Sequence, residues 1–318
     1  MRRSRRLALA LGAALITTLF GVQSTARPAE TPSSKRILTV GIVNDIDSLN
    51  PFVGYVVEAY EVWGLMYDSL TGYGQKDFAA VPGLAEKWTT SADGTTWTYT
   101  IRSGVTWSDG TPLTARDAAY TFNRIIKGEA EQTNYGNYVA NITKAEAPND
   151  TTLVLTTDQP TPTMLHLAVP ILPEHIWTQI SAEQVSTYKN SPTDAVKPVG
   201  SGPYILTERK VGQYVRLVAN TSYWAGAPHM DELIFRVYSS PEALAQALKK
   251  GEIDIADSLE ANVFDSLKGQ PGITTLKSKY SGFNEIAHPD PTPRSHDLSL
   301  TSRPARARET QPPIPRAQ

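Results

Sequence analysis

Alternating and helically spaced hydrophobic residues predict strands and helices over most of the chain. A β-branched run at 37–43 predicts a buried strand, and the polar segment 44–51 follows it directly. Trp97, Tyr99 and Ile101 alternate with polar residues, which predicts a half-buried strand. Strands and helices are mixed throughout and no internal repeat is visible, so the pattern predicts an α/β or α+β protein.

The best-defined helix start is a capping box. Thr114 is followed three residues later by Asp117, and apolar residues then recur at helical spacing up to Ile126. The other predicted elements are, in chain order, a helix carrying apolar residues from Ala59 to Leu70 and ended by Gly72, strands at 152–157, 204–206 and 214–219, a helix opened by Ser240 and closed by Gly251, and a strand containing Ile253 and Ile255.

The N-terminus has the features of an export signal. Four arginines at positions 2, 3, 5 and 6 precede the apolar run Leu7–Val22, and small residues follow at 24–26. This order predicts a signal peptide over residues 1–26 and a polar tether over 27–36. A membrane anchor is the alternative, although the run is short for a span and contains a glycine. The arginines also resemble a twin-arginine signal, so both export routes stay open.

Composition narrows the classes of chemistry. The 318 residues include no cysteine, which excludes disulfides, thiol catalysis and a lipid-anchored cysteine. The net charge of -2 does not favour a nucleic-acid partner. His166, His175 and His229 are not spaced as metal ligands, so neither a metal site nor a cofactor is expected. The glycines at 200–203 lack the lysine of a phosphate-binding loop and indicate a structural turn.

Carboxylate pairs are the remaining candidates for chemistry, because glycosidases use two of them. The Asp-Gly pairs at 93–94 and 109–110 are typical of turns, and the acids within 254–257 flank a strand end. Asp45 and Asp47 share the polar loop after the first strand, where a carboxylate could hold a ligand's ammonium group. A local turn explains at least one of them equally well.

Four stretches together resemble one protein family. Residues 82–125, PGLAEKWTTSADGTTWTYTIRSGVTWSDGTPLTARDAAYTFNRI, resemble the signature region of family 5 extracytoplasmic solute-binding proteins, the dipeptide, oligopeptide and nickel receptors of ABC importers. VGSGPYIL at 199–206 and the blocks at 220–238 and 243–257 are similar to later family blocks, in the expected order. The resemblance extends over about 37–287.

The resemblance implies a two-lobed, periplasmic-binding-protein type II-like α/β fold. Residues 37–78 and 193–276 would form the core of the first lobe, and 79–192 a family-specific subdomain. Residues 277–287 would begin a second lobe that is otherwise missing. The family's ligand-touching loop corresponds to four residues here, Asn44, Asp45, Ile46 and Asp47.

A function follows from the resemblance as an expectation. The chain would be a monomeric, non-enzymatic receptor in the periplasm or at the cell surface, capturing a small solute, expected to be a peptide, for the permease of an ABC importer. It would not be a lipoprotein. The alternative is a secreted glycan-acting hydrolase or glycan-binding protein, which six tryptophans and fourteen tyrosines would suit.

The tail differs from the rest of the chain. Residues 288–318 contain seven prolines and five arginines but no lysine or aromatic residue, which predicts disorder. This composition is typical of a GC-rich gene read out of frame, so a frameshift after Ala287 is the hypothesis. On that hypothesis, the chain as written binds solute weakly or not at all.

Overall fold

The computed structural model describes residues 35–74 and 76–277. The predicted signal peptide, most of the tether and the predicted tail lie outside these residues. The described residues up to Thr274 form one compact unit. In this part of the chain, no helix has both the length and the apolar character that crossing a membrane requires.

Strands and helices are mixed along the described chain. The strands are β1 Ile37–Ile42, β2 Thr71–Tyr73, β3 Ala80–Pro82, β4 Ala85–Thr90, β5 Thr96–Ile101, β6 Ile142–Asn149, β7 Thr152–Thr157, β8 Tyr204–Lys210, β9 Tyr214–Ala219, β10 Glu232–Val237 and β11 Ile255–Ala256. The helices are α1 Val57–Met66, α2 Ala115–Lys127, α3 Gln132–Val139, α4 Glu174–Trp177, α5 Pro241–Lys249 and α6 Ala261–Leu267, and short 3-10 helices lie at Pro162–His166 and Ala182–Gln184.

A five-stranded mixed sheet carries the first strand near one edge. Its order is β11-β1-β10-β9-β8, with β1 parallel to both of its neighbours and the last three strands antiparallel. Ile37 lies opposite Glu232, so the first pairing joins distant parts of the sequence. The carboxyl ends of β1, β10 and β11 therefore meet at one edge, where open α/β sheets bind ligands.

A second sheet is antiparallel, in the order β4-β5-β7-β6. Trp97 pairs with Leu155 and Tyr99 with Leu153, and all four side chains are buried. The predicted alternation in β5 and the predicted strand at 152–157 are confirmed. α2 packs on β6 and β7, and a single hydrophobic cluster includes core residues of both sheets. The predicted division at residues 79 and 192 stays a prediction.

Three predicted elements begin or end at residues other than the predicted ones. α1 ends at Met66 rather than near Gly72, because Tyr67 is extended and Gly72 lies in β2. The backbone oxygen of Met66 accepts a hydrogen bond from the Gly202 amide at 2.9 Å, which fixes the chain where it leaves the helix. β8 continues to Lys210, beyond the predicted end at residue 206, and β11 does not include Ile253.

The predicted capping box at α2 is confirmed. The Thr114 hydroxyl oxygen accepts from the Arg116 amide at 3.2 Å, and the Asp117 carboxylate accepts from the Thr114 amide at 2.9 Å. Replacing Thr114 by alanine is expected to lower the free energy of unfolding by about 1 kcal/mol, because one helix-end amide loses its acceptor. Urea unfolding measures this loss. Thr114→Ser keeps the hydroxyl and should stay near wild type, whereas an equal loss in both variants would contradict the capping role.

Candidate functional site

The four predicted ligand-loop residues follow β1 at the carboxyl edge of the five-stranded sheet. Asn44 is exposed and its side-chain amide donates to the Glu58 carboxylate at 3.1 Å. Ile46 is buried and anchors the loop in the hydrophobic core. Asp45 is half-buried and Asp47 is exposed. The loop therefore has one anchoring position and three polar positions.

Both loop carboxylates accept hydrogen bonds from backbone amides. Asp45 accepts from Ile46 at 2.8 Å and, with its other oxygen, from Gly212 at 2.7 Å. Asp47 accepts from Ser48 at 2.9 Å and from Tyr55 at 2.7 Å. Both aspartates therefore have structural partners, but these are an adjacent amide and a more distant one, rather than the amide two residues on that a local turn would use. Each carboxylate oxygen has a second lone pair, so these groups can still accept from a ligand.

The β8–β9 hairpin holds the loop on one side. Arg209 donates from its guanidinium to the backbone oxygen of Ile46, and the Gly212 amide binds Asp45. Buried asparagines hold the end of the loop on the other side. Asn190 donates to the Leu49 backbone oxygen at 2.8 Å, and Asn50 donates to the backbone oxygens of residues 185 and 188. These contacts fix the loop before any ligand arrives, which lowers the ordering cost of binding.

An aromatic patch lies beside this loop. It consists of Tyr55, Tyr60 and Tyr138, which are 76%, 45% and 40% exposed, and the exposed aliphatic Val57 lies between the first two in the sequence. Burial raises the pKa of the Tyr60 phenol, and Tyr138 and Asp47 raise it further, so these three groups lie close together. The sequence prediction missed the patch. The sequence did contain one indication of it. Tyr60 falls next to the apolar face of the predicted helix, not on that face.

Three acids lie where α1 approaches the end of β11. Glu58 and Glu61 are one helical turn apart on α1, and Asp257 directly follows β11. Burial and the neighbouring Asp257 raise the pKa of the Glu61 carboxyl from 4.5 to about 7. The acids give this end of the sheet a local negative potential.

Two of the three candidate histidines have structural partners. His175 lies with its Nε2 atom 2.7 Å from the Asp109 carboxylate, and His166 stacks on Tyr73. Asp109 also accepts from the Thr111 amide at 3.0 Å, which agrees with its predicted turn. Within 35–74 and 76–277, no cluster of three or more His, Asp or Glu residues could hold a metal ion.

Comparison with known proteins identifies the family. A model described as bacterial extracellular solute-binding proteins, family 5 Middle, matches residues 79–291. The chain belongs to this family. Its members are solute-binding proteins rather than enzymes, and the predicted family and fold class are confirmed.

Similar curated proteins include transport proteins of two kinds. A putative ABC transporter peptide-binding protein from Brucella ovis is 32% identical over 229 residues, covering 69% of this chain and 42% of the relative. The nickel-binding periplasmic protein of Escherichia coli is 31% identical over 242 residues, covering 75% and 44%. This chain therefore spans about half the length or less of the curated relatives that it matches.

Solved family structures have a similar fold over the same part. NikZ from Campylobacter jejuni in complex with Ni(L-His) is 25% identical with a TM-score of 0.63, covering 74% of this chain and 45% of that chain. The Escherichia coli murein tripeptide binding protein MppA is also 25% identical with a TM-score of 0.63, covering 76% and 49%. The ligand role of Asn44, Asp45, Ile46 and Asp47 stays a prediction.

Proposed function

We propose that this chain supplies the first-lobe binding surface of an extracytoplasmic receptor for an ABC importer, and that its solute is a peptide. One observation carries the proposal: a loop fixed from both sides lies beside an exposed aromatic patch at the carboxyl edge of the sheet. A fixed polar loop gives orientation and aromatic rings give contact area, which is how small-molecule sites are usually built.

The chemistry of the surface suits a peptide. Asp45 and Asp47 retain lone pairs for an ammonium group, and the nearby acids at the end of β11 add negative potential. Tyr55 and Tyr60 offer apolar faces to peptide side chains. A peptide has both an ammonium group and apolar side chains.

Binding without turnover is the proposed mode of action. The carboxylate oxygens of Asp45 and Asp47 each accept a hydrogen bond from a backbone amide, so both groups stabilise the conformation of the loop. The Asp-Gly turns also use their carboxylates within the turn, as at Asp93, which accepts from Thr95. These uses favour a receptor over the glycan-acting hydrolase. The proposed partner is an importer permease, and the proposed setting is outside the cytoplasmic membrane.

The test is solute binding by the full chain, measured by NMR with di- and tripeptides, Ni²⁺ with histidine, and glycan oligomers. We expect weak but saturable shift changes with peptides, in line with the weak binding expected of the chain as written, and confined to the loop and the aromatic patch. Tyr60→Ala should weaken this binding by about tenfold, equivalent to about 1.4 kcal/mol. Phe78→Ala is the matched control, because Phe78 is also an exposed aromatic residue, at 58% against 45%, and lies in the turn between β2 and β3.

Four outcomes would overturn the proposal. They are saturation by Ni²⁺–histidine or glycans but not peptides, chemical conversion of a solute, shift changes remote from the loop, and the absence of saturable binding by any probe. An equal effect of the Tyr60 and Phe78 variants would show that the aromatic patch is not part of the binding site.

A further inference from the structure

Arg209 lies at the same edge of the five-stranded sheet as the predicted ligand loop. β8 is antiparallel to β9, β9 is antiparallel to β10, and β10 is parallel to β1, so β8 and β1 run in the same direction. Arg209 is the last residue but one of β8, and the loop 44–47 follows the end of β1. The residue therefore lies at the carboxyl edge, where open α/β sheets bind ligands.

An irregularity in the pairing of β8 with β9 sets the face on which Arg209 lies. The register shifts between Leu206 and Glu208. Beyond the shift, Arg209 pairs with Val215, which is buried in the hydrophobic core. Residues directly opposite each other share a face of the sheet, so Arg209 lies on the core-facing side. Its neighbours Glu208 and Lys210 lie on the other side, because successive side chains of a strand alternate.

The Arg209 guanidinium has few partners for its charge. Its Nη2 group donates to the backbone oxygen of Ile46, and its Nε group is buried without a hydrogen-bond partner. Among the residues that the structure describes, it forms no ion pair. Arg124, by contrast, forms an ion pair with Glu131. A partly buried cation without a counter-charge costs free energy, so the fold alone does not explain Arg209.

The loop does not supply the missing counter-charge. Ile46, whose oxygen binds the guanidinium, lies between Asp45 and Asp47. Both carboxylates accept from backbone amides, and neither forms an ion pair with Arg209. A fixed cation and two carboxylates therefore lie within the same small part of the molecule. This arrangement matches a solute that carries a carboxylate as well as an ammonium group.

We propose that Arg209 determines solute specificity by binding the free carboxyl terminus of the peptide. This inference rests on the proposed function and names a chemical group that the peptide must carry. The carboxylate supplies the counter-charge that the fold does not provide, and hydrogen bonds between ionised groups are shorter and stronger than those between neutral groups. The bond from Nη2 to Ile46 holds the guanidinium beside the loop before the solute arrives.

The first test compares one peptide in two forms. NMR titration of the full chain with dialanine and with dialanine amide, which differ only at the carboxyl terminus, gives a ratio of two dissociation constants. We expect dialanine to bind about tenfold more tightly. The acids at this end of the sheet attract the amide more strongly, because it has a net positive charge. A preference for dialanine therefore requires a specific contact with its carboxylate.

The wild-type ratio separates this inference from the proposed function, and it does not depend on any variant folding. Equal affinity for the two forms would overturn the role of Arg209 and leave peptide binding by the chain intact. Absence of saturable binding by both forms would overturn the proposed function and this inference together.

Two variants of Arg209 distinguish carboxylate binding from a purely structural role. Arg209→Gln keeps a donor for the Ile46 oxygen but removes the charge, so the preference for dialanine should disappear. Arg209→Lys keeps the charge and should retain part of the preference. An equal weakening of both forms in Arg209→Gln, with the ratio unchanged, would show that Arg209 only holds the loop.

Arg236→Gln is the matched control for the change in charge. Arg236 is exposed, is the last residue but one of β10, and lies opposite Tyr214, on the other face of the sheet. The variant should keep the wild-type ratio. A loss of the preference in Arg236→Gln equal to that in Arg209→Gln would mean that net charge alone sets the ratio, and would contradict the inference.

Discussion

Replacing Arg124 by methionine is expected to lower the free energy of unfolding by about 3–5 kcal/mol, because it leaves a buried carboxylate without its cation. Arg124 donates to Glu131 at 2.8 Å, and the exposed fractions of the two side chains are 11% and 2%. The same guanidinium donates to the backbone oxygens of Trp177 and Ile180. One side chain thus joins α2 to the segment around α4.

Equilibrium urea unfolding measures the loss. Arg116→Met is the matched control, because Arg116 is exposed on the same helix and its replacement should change stability by less than about 0.5 kcal/mol. Replacing Glu131 by leucine together with Arg124→Met should recover part of the loss, since no buried charge is then unpaired. A loss below about 1 kcal/mol in Arg124→Met would show that the ion pair is dispensable.

Replacing Gly200 by alanine is expected to cost about 3 kcal/mol, because the new methyl group has no space. A Cβ atom at Gly200 would lie 2.1 Å from the backbone oxygen of Met66, the last residue of α1. Neither side can easily move, because Gly200 is also bound to Ser108 through its amide and its oxygen. This close approach is the physical reason for the predicted structural turn.

Gly64→Ala provides a control of opposite sign. Gly64 lies within α1, has no atom within 4 Å of an added Cβ, and is exposed, so alanine should raise stability by about 0.5–1 kcal/mol. Thermal and urea unfolding of both variants measure the contrast. Wild-type stability in Gly200→Ala would mean that the turn and α1 are not in close contact.

Local sequence patterns were sufficient for elements whose ends are set locally. α2 begins at its capping box, and β5 and β7 show the expected alternation. The end of α1 could not be predicted, because apolar residues continue at helical spacing through Leu70. What stops the helix is tertiary contact: the amides of Gly202 and Asp68 bond to Met66 and to the Ser201 hydroxyl.

Sequence patterns were likewise sufficient for only part of the candidate site. Its place after the first strand could be predicted from a polar loop at a strand end. The partners of the loop could not, because Gly212 and Asn190 lie far away in sequence and reach it only through the fold.

The parallel pairing of β1 sets the order in which this chain can fold. β1 is the first described strand to be synthesised, yet its neighbours are β10 and β11, which are the last two. Its ladder cannot form until nearly the whole described chain has left the ribosome, and such non-local closure is slow. If the predicted export signal directs the unfolded chain across a membrane, the five-stranded sheet stays open until translocation has carried β10 and β11 across.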